Sequence, residues 1–417
     1  DNPYVDMSKP SPAYAPAHLA AATKAAEEGT ILLKNNGLLP LGKGVRKIAV
    51  IGPMADAPHD QGGTWAPDLQ RDRSVTPLAA LRRLYGEKNV VFAPGLKYTR
   101  DKSLDGIPAA VEAAREADAV LCFVGEEAVM SGEAHSMADL DLKGAQTALL
   151  EAVSRTGKPM AVIFMAGRPL TVGKEIDMAD AVLYSFHGGT MAGEALANLI
   201  SGKANPSGKL PATMARMTGQ YPIYYAHKNT GRPPEWTVDL DSIPVEAPQT
   251  STGCTSYYLD AGKEPLYPFG YGLSYTTFDI SAPRLSSSSM SADSKTPLTV
   301  ECTVTNTGKM EGAETVQLYV RDVVGSLARP LKELKDFSKV TLSPGESRVV
   351  TFTLSPSQLA FHKLDGKPVI EPGEFQVWTA GNSVDCRSQI NVHYIPAHTH
   401  QGTDYYVLDH LARDAGI

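Results

Sequence analysis

Short, continuously apolar segments alternate with helical patterns through the first half of the chain, and this alternation constrains the fold most. Strands buried on both faces have such apolar runs, and parallel strands need helical crossovers between them. The sequence therefore predicts a mostly parallel sheet covered by helices on both faces, an α/β sandwich, over residues 41–205. The expected strands are residues 47–52, 89–93, 118–124, 159–165 and 181–186, and the expected helices include residues 17–28, 108–116, 146–154 and 190–200.

One further helix of this region has a clear start signal. Thr76 is a suitable N-cap, and Pro77 suits the first turn that follows it. Leu78, Leu81 and Leu84 then recur at helical spacing. We expect these three leucines to form one apolar face.

From residue 278 onward the pattern changes to short strands in which apolar and polar residues alternate, as in residues 298–304. Pro-Gly pairs at residues 344–345 and 372–373 predict tight turns between such strands. This spacing predicts an all-β immunoglobulin or fibronectin type III-like sandwich over residues 278–395. We expect residues 1–40 to be a linker with the first helix, residues 206–277 a long connector and residues 396–417 a tail.

Charge and composition argue against several partners. Lys and Arg number 39 against 46 Asp and Glu, a net charge of −7, which disfavours nucleic acid and anionic membranes as partners. No apolar run approaches the roughly 20 residues that span a bilayer, and no signal peptide is visible in this chain. Four cysteines are too few for a disulfide scaffold. Cys302 and Cys386 both fall in strand-like segments, and the sequence leaves open whether they pair.

Nucleotide and metal sites have little support. The loop after the strand at residues 47–52 has no G-x-G-x-x-G motif, and Pro53 removes an amide that a phosphate would use. The Gly-Gly pair at residues 188–189 fits packing at a strand-to-helix turn better than anion binding. His398 and His400 are closely spaced, but no acidic or cysteine pair nearby completes a metal site. We therefore expect no cofactor and no metal.

An acidic loop is the strongest candidate for chemistry. Directly after the strand at residues 118–124, residues 125–141 contain five acids: Glu126, Glu127, Glu133, Asp139 and Asp141. Loops at the carboxyl ends of parallel strands are where α/β sheets place ligand-binding groups. A carboxyl group there could act as a general acid and base. The residues alone do not separate this role from that of a solvated surface loop.

Many ordered motifs resemble the C-terminal half of family 3 glycoside hydrolases, the β-glucosidase family, in its bacterial periplasmic branch. The resemblance covers roughly residues 20–390. The motifs are EEGTILLKN (27–35), VGE (124–126), SGEA (131–134), TGKP (156–159), GRP (167–169), NPSGKLP (205–211), PIYY (222–225), HKNTGRP (227–233), LYPFGYGLSY (266–275), RPLKEL (329–334) and SPGE (343–346).

The resemblance implies a retaining hydrolase that removes terminal β-linked glucosyl units. In the family a (β/α)₈ barrel supplies the nucleophilic Asp, and the α/β domain supplies a Glu as acid/base. The matching position here is Glu133. The family usually has an Arg shortly after this Glu, where this chain has Met137. No segment of the sequence matches the barrel, so we expect the barrel half to be on another polypeptide.

The resemblance also suggests where a sugar would bind. An aromatic ring can stack on a pyranose, and Asn, Arg or His side chains can bond its hydroxyls. Trp65, His135, Asn229 and Arg232 are therefore the expected contacts to a β-glucoside or oligosaccharide, although Trp65 fits plain packing under a loop equally well. The resemblance further implies a periplasmic or secreted location, and a homo-oligomer is possible.

Two other functions stay open. The loss of the Arg at Met137 favours a non-catalytic carbohydrate-binding or assembly module. Hydrolysis by two of the loop carboxylates, without any barrel, is the third hypothesis. Glu126, Glu127, Asp139 and Asp141 would supply the second carboxylate in that case, but no pattern distinguishes any of them as a nucleophile.

Overall fold

The computed structural model describes residues 4, 6–8, 13–291, 297–386 and 389–395, so the tail expected at residues 396–417, with His398 and His400, lies outside the described residues. The chain divides into two compact units. The first comprises Asp1–Lys209 and Gly272–Tyr275, and the second comprises Leu210–Tyr271 and Thr276–Ile417.

A six-stranded sheet forms the centre of the first unit, in the order β1-β6-β5-β4-β2-β3. Strands β2 to β6 are parallel to their neighbours, and the edge strand β1 runs antiparallel to β6. This confirms the predicted α/β class with a mostly parallel sheet. The strands are β1 (Ile31–Asn35), β2 (Ile48–Ile51), β3 (Val90–Ala93), β4 (Ala119–Gly125), β5 (Met160–Met165) and β6 (Ala181–Tyr184).

Helices cover both faces of this sheet, and their mutual contacts divide them into two groups: α1, α2 and α6, and α3, α4 and α5. Every residue of β4 and β5 is buried, which explains why these strands are apolar without alternation. The helices are α1 (Pro16–Gly29), α2 (Pro77–Tyr85), α3 (Ile107–Glu116), α4 (Gln146–Ser154), α5 (Gly173–Met178) and α6 (Ala192–Ser201). No helix among the described residues is long and apolar enough to cross a membrane.

The predicted start of α2 is confirmed, but its apolar face is narrower than expected. The Thr76 side chain accepts a hydrogen bond from the backbone N–H of Ala79, and Pro77 is the first helical residue. Leu78 and Leu81 are buried in the core, whereas Leu84 is 48% exposed. Leu84, one residue before the helix ends at Tyr85, therefore lies outside the buried part of this face.

The second unit contains a sandwich of two sheets, which confirms the predicted fibronectin-like class. One sheet has the order β13-β10-β7 with β8 also paired to β10, and the other has the order β12-β11-β16-β17-β9. The inward residues of these strands form one apolar core. The strands are β7 (Phe278–Ile280), β8 (Arg284–Leu285), β9 (Ser289–Ser291), β10 (Leu298–Asn306), β11 (Gly312–Asp322), β12 (Glu333–Leu342), β13 (Ser347–Leu354), β14 (Phe361–His362), β15 (Pro368–Val369), β16 (Gly373–Ala380) and β17 (Gln389–Ile395).

The connecting residues 210–271 have short 3-10 turns and isolated bridges, and they pack on the sandwich of their own unit. The ring of Tyr225 stacks on that of Phe269 and meets Tyr319 of β11 edge-on. Cys302 is buried in β10, whereas Cys386 lies in the loop after β16 rather than in a strand. Both thiols are free.

Candidate active site

The acidic loop begins where β4 ends, at a point where two backbones approach closely. Gly125 has a φ of +146°, and a side-chain carbon there would lie 1.9 Å from the carbonyl oxygen of Met165 on β5. Only glycine fits this approach. The buried side chain of Gln146, at the start of α4, accepts from the N–H of Gly125 at 2.8 Å and donates to its C=O at 2.9 Å. The strand end that carries the acidic loop is therefore fixed.

Glu126, the first acid of the loop, is held by an arginine on the neighbouring strand end. The residue is buried, and the Nε of Arg168 donates to its Oε2 at 3.2 Å. Burial raises the pKa of Glu126, and the positive charge of Arg168 opposes this rise. His187 is half-buried, and its Nε2 lies 3.2 Å from the backbone carbonyl oxygen of Glu126. Burial lowers the pKa of His187.

Glu127 points to another arginine. Arg100 donates to both of its carboxylate oxygens at 2.9 Å, and the hydroxyl of Thr99 donates to one of them at 2.7 Å. These hydrogen bonds, above all those from Arg100, lower the pKa of Glu127. The carboxylate of Glu127 is therefore engaged within the protein.

The two aspartates at the far end of the loop are also engaged. Asp139 accepts from the ammonium group of Lys143 at 2.7 Å and from the backbone N–H of Asp141 at 3.0 Å. The hydroxyl of Thr171 donates to the carboxylate of Asp141. Four of the five acids predicted as candidates in this loop therefore have a structural partner.

Glu133 differs from these four acids. Its side chain is exposed, and among the described residues no hydrogen bond or ion pair engages its carboxylate. The backbone around it turns sharply, because Gly132 has a φ of +119° and Ala134 a φ of +62°. The N–H of His135 closes this turn by donating to the carbonyl oxygen of Gly132 at 3.1 Å. The carboxylate of Glu133 is thus displayed on an ordered turn.

Trp65 comes close to the same turn. A side-chain carbon on Gly132 would lie 2.6 Å from the methyl group of Thr64, so the residues next to Glu133 and Trp65 are in contact. Trp65 itself is 71% exposed. This exposure argues against the alternative for Trp65, which was that its side chain packs under a loop.

His135 belongs to the turn as well. Its ring is exposed, and its Nδ1 lies 3.3 Å from the carbonyl oxygen of Ser131, so this contact is a hydrogen bond when Nδ1 carries the proton. The structure thus places Glu133, Trp65 and His135 at the same edge of the sheet, beyond the carboxyl ends of the parallel strands.

Asn229 and Arg232 lie in the second unit, and both are exposed. Asn229 lines a cavity of about 530 Å³ together with Tyr224, Tyr257 and Lys263. The carbonyl oxygen of Arg232 accepts from the backbone N–H of Ser256 at 3.1 Å. Because these two residues belong to the second unit, their role as sugar contacts stays a prediction.

Sequence reasoning did not assign a role to Arg168, although the motif that contains it was noted. Besides its contact with Glu126, its Nη2 donates to the carbonyl oxygens of Met130 and of His135, the latter at 3.0 Å. The signal that could have identified it is its place directly after β5, beside the strand that leads into the acidic loop.

Comparison with known proteins identifies both units. The family model described as glycosyl hydrolase family 3 C-terminal domain matches residues 30–275, and the model described as fibronectin type III-like domain matches residues 314–383. A periplasmic β-glucosidase of Salmonella typhimurium is 40% identical over an alignment of 387 residues, which covers 88% of this chain and 49% of that protein. A β-xylosidase of Formosa agariphila is 38% identical over 88% of this chain and 48% of its own length.

Solved structures agree with this result. The β-glucosidase of Listeria innocua in complex with glucose has a TM-score of 0.83 and 34% identity, over 92% of this chain and 50% of that one. This chain thus spans about half the length of the relatives it matches. It belongs to glycosyl hydrolase family 3, and the region that the family's C-terminal domain model matches includes the six-stranded sheet of the first unit and the connecting residues 210–271 of the second.

Proposed function

We propose that this chain contributes the acid/base of a retaining β-glucosidase and that Glu133 is that residue. The observation that carries the proposal is the contrast within the acidic loop. Four of its five acids are bonded to Arg, Lys or Thr side chains, whereas Glu133 is exposed on an ordered turn without such a partner. A carboxyl group that serves catalysis has to reach substrate, and Glu133 is the one that is accessible for this.

The reaction needs a second carboxylate. In a retaining glycosidase one carboxyl group protonates the leaving oxygen while the other attacks the anomeric carbon, with the two about 5–5.5 Å apart. The resulting glycosyl-enzyme ester is then hydrolysed by a water that the first residue, now a carboxylate, deprotonates. In our proposal Glu133 gives its proton to the leaving oxygen in the first step and takes a proton from the attacking water in the second. The nucleophile comes from a barrel that is joined to this chain or lies on another polypeptide.

The surroundings of Glu133 support a sugar as the ligand. The exposed indole of Trp65 offers an apolar face on which a pyranose ring can stack, and the imidazole of His135 can bond a hydroxyl. Relatives named as β-glucosidases and β-xylosidase indicate β-linked glucose or a similar sugar as the substrate class. Asn229 and Arg232 are proposed as further contacts. A periplasmic or secreted location is proposed on the periplasmic relative.

The test compares leaving groups in the complete enzyme that contains this chain. Glu133→Gln should lower kcat/KM for a β-glucoside with a poor leaving group by about 10²- to 10⁴-fold, because that substrate needs a proton on its oxygen. For a dinitrophenyl β-glucoside, whose leaving group needs no proton, kcat/KM for the first step should fall far less. Azide should then accelerate turnover by replacing the water that Glu133 would activate.

A matched control is available in the same loop. Asp139→Asn makes the same carboxylate-to-amide change at an exposed site that is bonded to Lys143. The kcat/KM for both substrates should stay within about threefold of wild type in this variant. Equal losses on both substrates in Glu133→Gln, or no loss at all, would refute the assignment.

The second candidate is a non-catalytic carbohydrate-binding or assembly module, favoured by Met137 at the position where the family has an Arg. Calorimetry with glucose and cello-oligosaccharides would detect such binding. Binding without hydrolysis, after the barrel half is supplied, would support this candidate. Hydrolysis by this chain alone is disfavoured, because the four other loop acids have structural partners.

A further inference from the structure

One guanidinium group connects both ends of the turn that carries Glu133. The Nη2 of Arg168 donates to the carbonyl oxygen of Met130, just before the turn, and to that of His135 at 3.0 Å, just after it. Residues 131–134 lie between these two points. Among the described residues, no other side chain donates hydrogen bonds to the backbone at both of these points.

The guanidinium group is itself held in place. Its Nε bonds the Oε2 of Glu126 at 3.2 Å, and the side chains of Arg168 and Glu126 are only 18% and 4% exposed. The backbone carbonyl of Glu126 is in turn contacted by the Nε2 of His187. A planar guanidinium whose Nε is fixed by a buried carboxylate has little freedom, so its Nη2 holds the two carbonyl oxygens at a constant separation.

The turn needs such an anchor. Its backbone has positive φ at Gly132 and at Ala134, and this conformation is unfavourable at Ala134 because that residue carries a Cβ. The side chain of Glu133 has no partner of its own among the described residues. The position of its carboxylate therefore depends on the backbone to which Arg168 donates hydrogen bonds.

We infer that Arg168 is a positioning residue for the proposed reaction: paired with the buried carboxylate of Glu126, it fixes residues 131–134 so that the carboxyl group of Glu133 meets the leaving oxygen. It touches neither substrate nor the reacting atoms. The inference rests on the proposed function of Glu133. It also explains how the turn could be held although this chain has Met137 where the family has an Arg, because Arg168 follows another strand, β5.

The experiment uses the complete enzyme and Arg168→Lys. Lysine keeps the charge beside Glu126, but its single nitrogen cannot hold Glu126 and both carbonyl oxygens in the geometry that the Nε and Nη2 of Arg168 provide. We expect kcat for a β-glucoside with a poor leaving group to fall by about 10- to 100-fold, since a displacement near 1 Å has an effect of this size. KM should change less than about threefold, and the dinitrophenyl glucoside should be nearly unaffected in its first step. Arg168→Gln, with added guanidinium as a rescue agent, is the second variant.

Arg100→Lys is the matched control, because Arg100 forms the parallel pair with Glu127 but does not contact the carbonyl oxygens of Met130 or His135. It should leave the leaving-group dependence of kcat unchanged. A merely structural role for Arg168 would slow both substrates equally and would lower the melting temperature in parallel, and that result overturns the inference. So does wild-type kcat in Arg168→Lys.

The two proposals fail in distinguishable ways. If Glu133→Gln shows no dependence on the leaving group, the assignment of Glu133 is wrong, and the inference on Arg168 is withdrawn with it. If Glu133→Gln shows this dependence but Arg168→Lys and Arg168→Gln do not, only the positioning role is wrong. A variant that fails to fold even with guanidinium present counts against positioning, because the contact is then needed for the fold itself.

Discussion

Replacing Gln146 by Met tests whether a side chain completes the edge of strand β4. Strand β2 pairs with β4 only as far as Cys122, three residues before Gly125. The amide of Gln146 supplies the acceptor and the donor that a neighbouring strand would offer to Gly125, at 2.8 and 2.9 Å. It also donates to the carbonyl oxygen of Lys143 at 3.1 Å. Methionine has a similar volume but forms none of these hydrogen bonds.

The size of the effect follows from what remains buried. In Gln146→Met the N–H and the C=O of Gly125 both lose their partner in a fully buried place. Each such group costs about 1–3 kcal/mol, so the loss is about 2–6 kcal/mol. The more apolar methionine side chain recovers roughly 1 kcal/mol. We expect the free energy of unfolding to fall by about 1–5 kcal/mol.

Urea unfolding followed by circular dichroism measures this difference. Gln146→Glu provides a second reading, because a protonated carboxyl group has one acceptor and one donor, as the amide does, whereas the carboxylate has acceptors only. As the pH is lowered, the difference in stability between Gln146→Glu and wild type should therefore shrink. The difference between Gln146→Met and wild type should not shrink in this way. A loss below about 0.5 kcal/mol in Gln146→Met, or no such recovery in Gln146→Glu, would show that the amide does not complete the strand.

Three further predictions concern stability. Burial raises the pKa of Asp322 from 3.8 to about 6, so the folded chain binds this proton more tightly than the unfolded chain does. Stability should therefore fall as pH rises from about 4 to about 6, and Asp322→Asn should lack that decrease of roughly 2 kcal/mol in urea unfolding at pH 4 and 7. Thr76→Ala should cost about 1–2 kcal/mol in the same assay, because it removes the cap of α2 and the 2.8 Å hydrogen bond to Asp56. Ala134→Gly should keep the melting temperature or raise it slightly, and Ala134→Val should lower it by several degrees, since the φ there is +62°.

Much of the fold is predictable because it rests on local patterns. The buried strands and α4, which has the predicted bounds Gln146–Ser154, have strong signals of burial or periodicity. Strand β1 (Ile31–Asn35) was missed because a five-residue segment after a helix has too few residues for a clear period. Helix α5 (Gly173–Met178) was missed for a related reason, as Ile176 and Glu175 are its buried residues and a six-residue helix shows no repeat.

The site was predictable only in part. Its location followed from the rule that loops at strand ends hold functional groups, and Glu133 was chosen by resemblance to a family. The partners of the other loop acids were not predictable. Arg168 and Glu126 are 42 residues apart in sequence, and they meet because β4 and β5 pair in parallel with Gly125 opposite Met165. A pairing register of this kind comes from the packed sheet, and no local pattern encodes it.

The exposure of Glu133 bears on how the proposed enzyme would be assembled. A carboxyl group that donates a proton near neutral pH generally needs partial burial or a neighbouring negative charge. Among the described residues, none buries Glu133 and no second carboxylate is paired with it. The buried acid Glu126 is instead bonded to Arg168. In our proposal the nucleophile's half of the site therefore supplies two things at once: the attacking carboxylate and the environment that keeps the acid protonated. The pH dependence of hydrolysis would then be a property of the assembled pair.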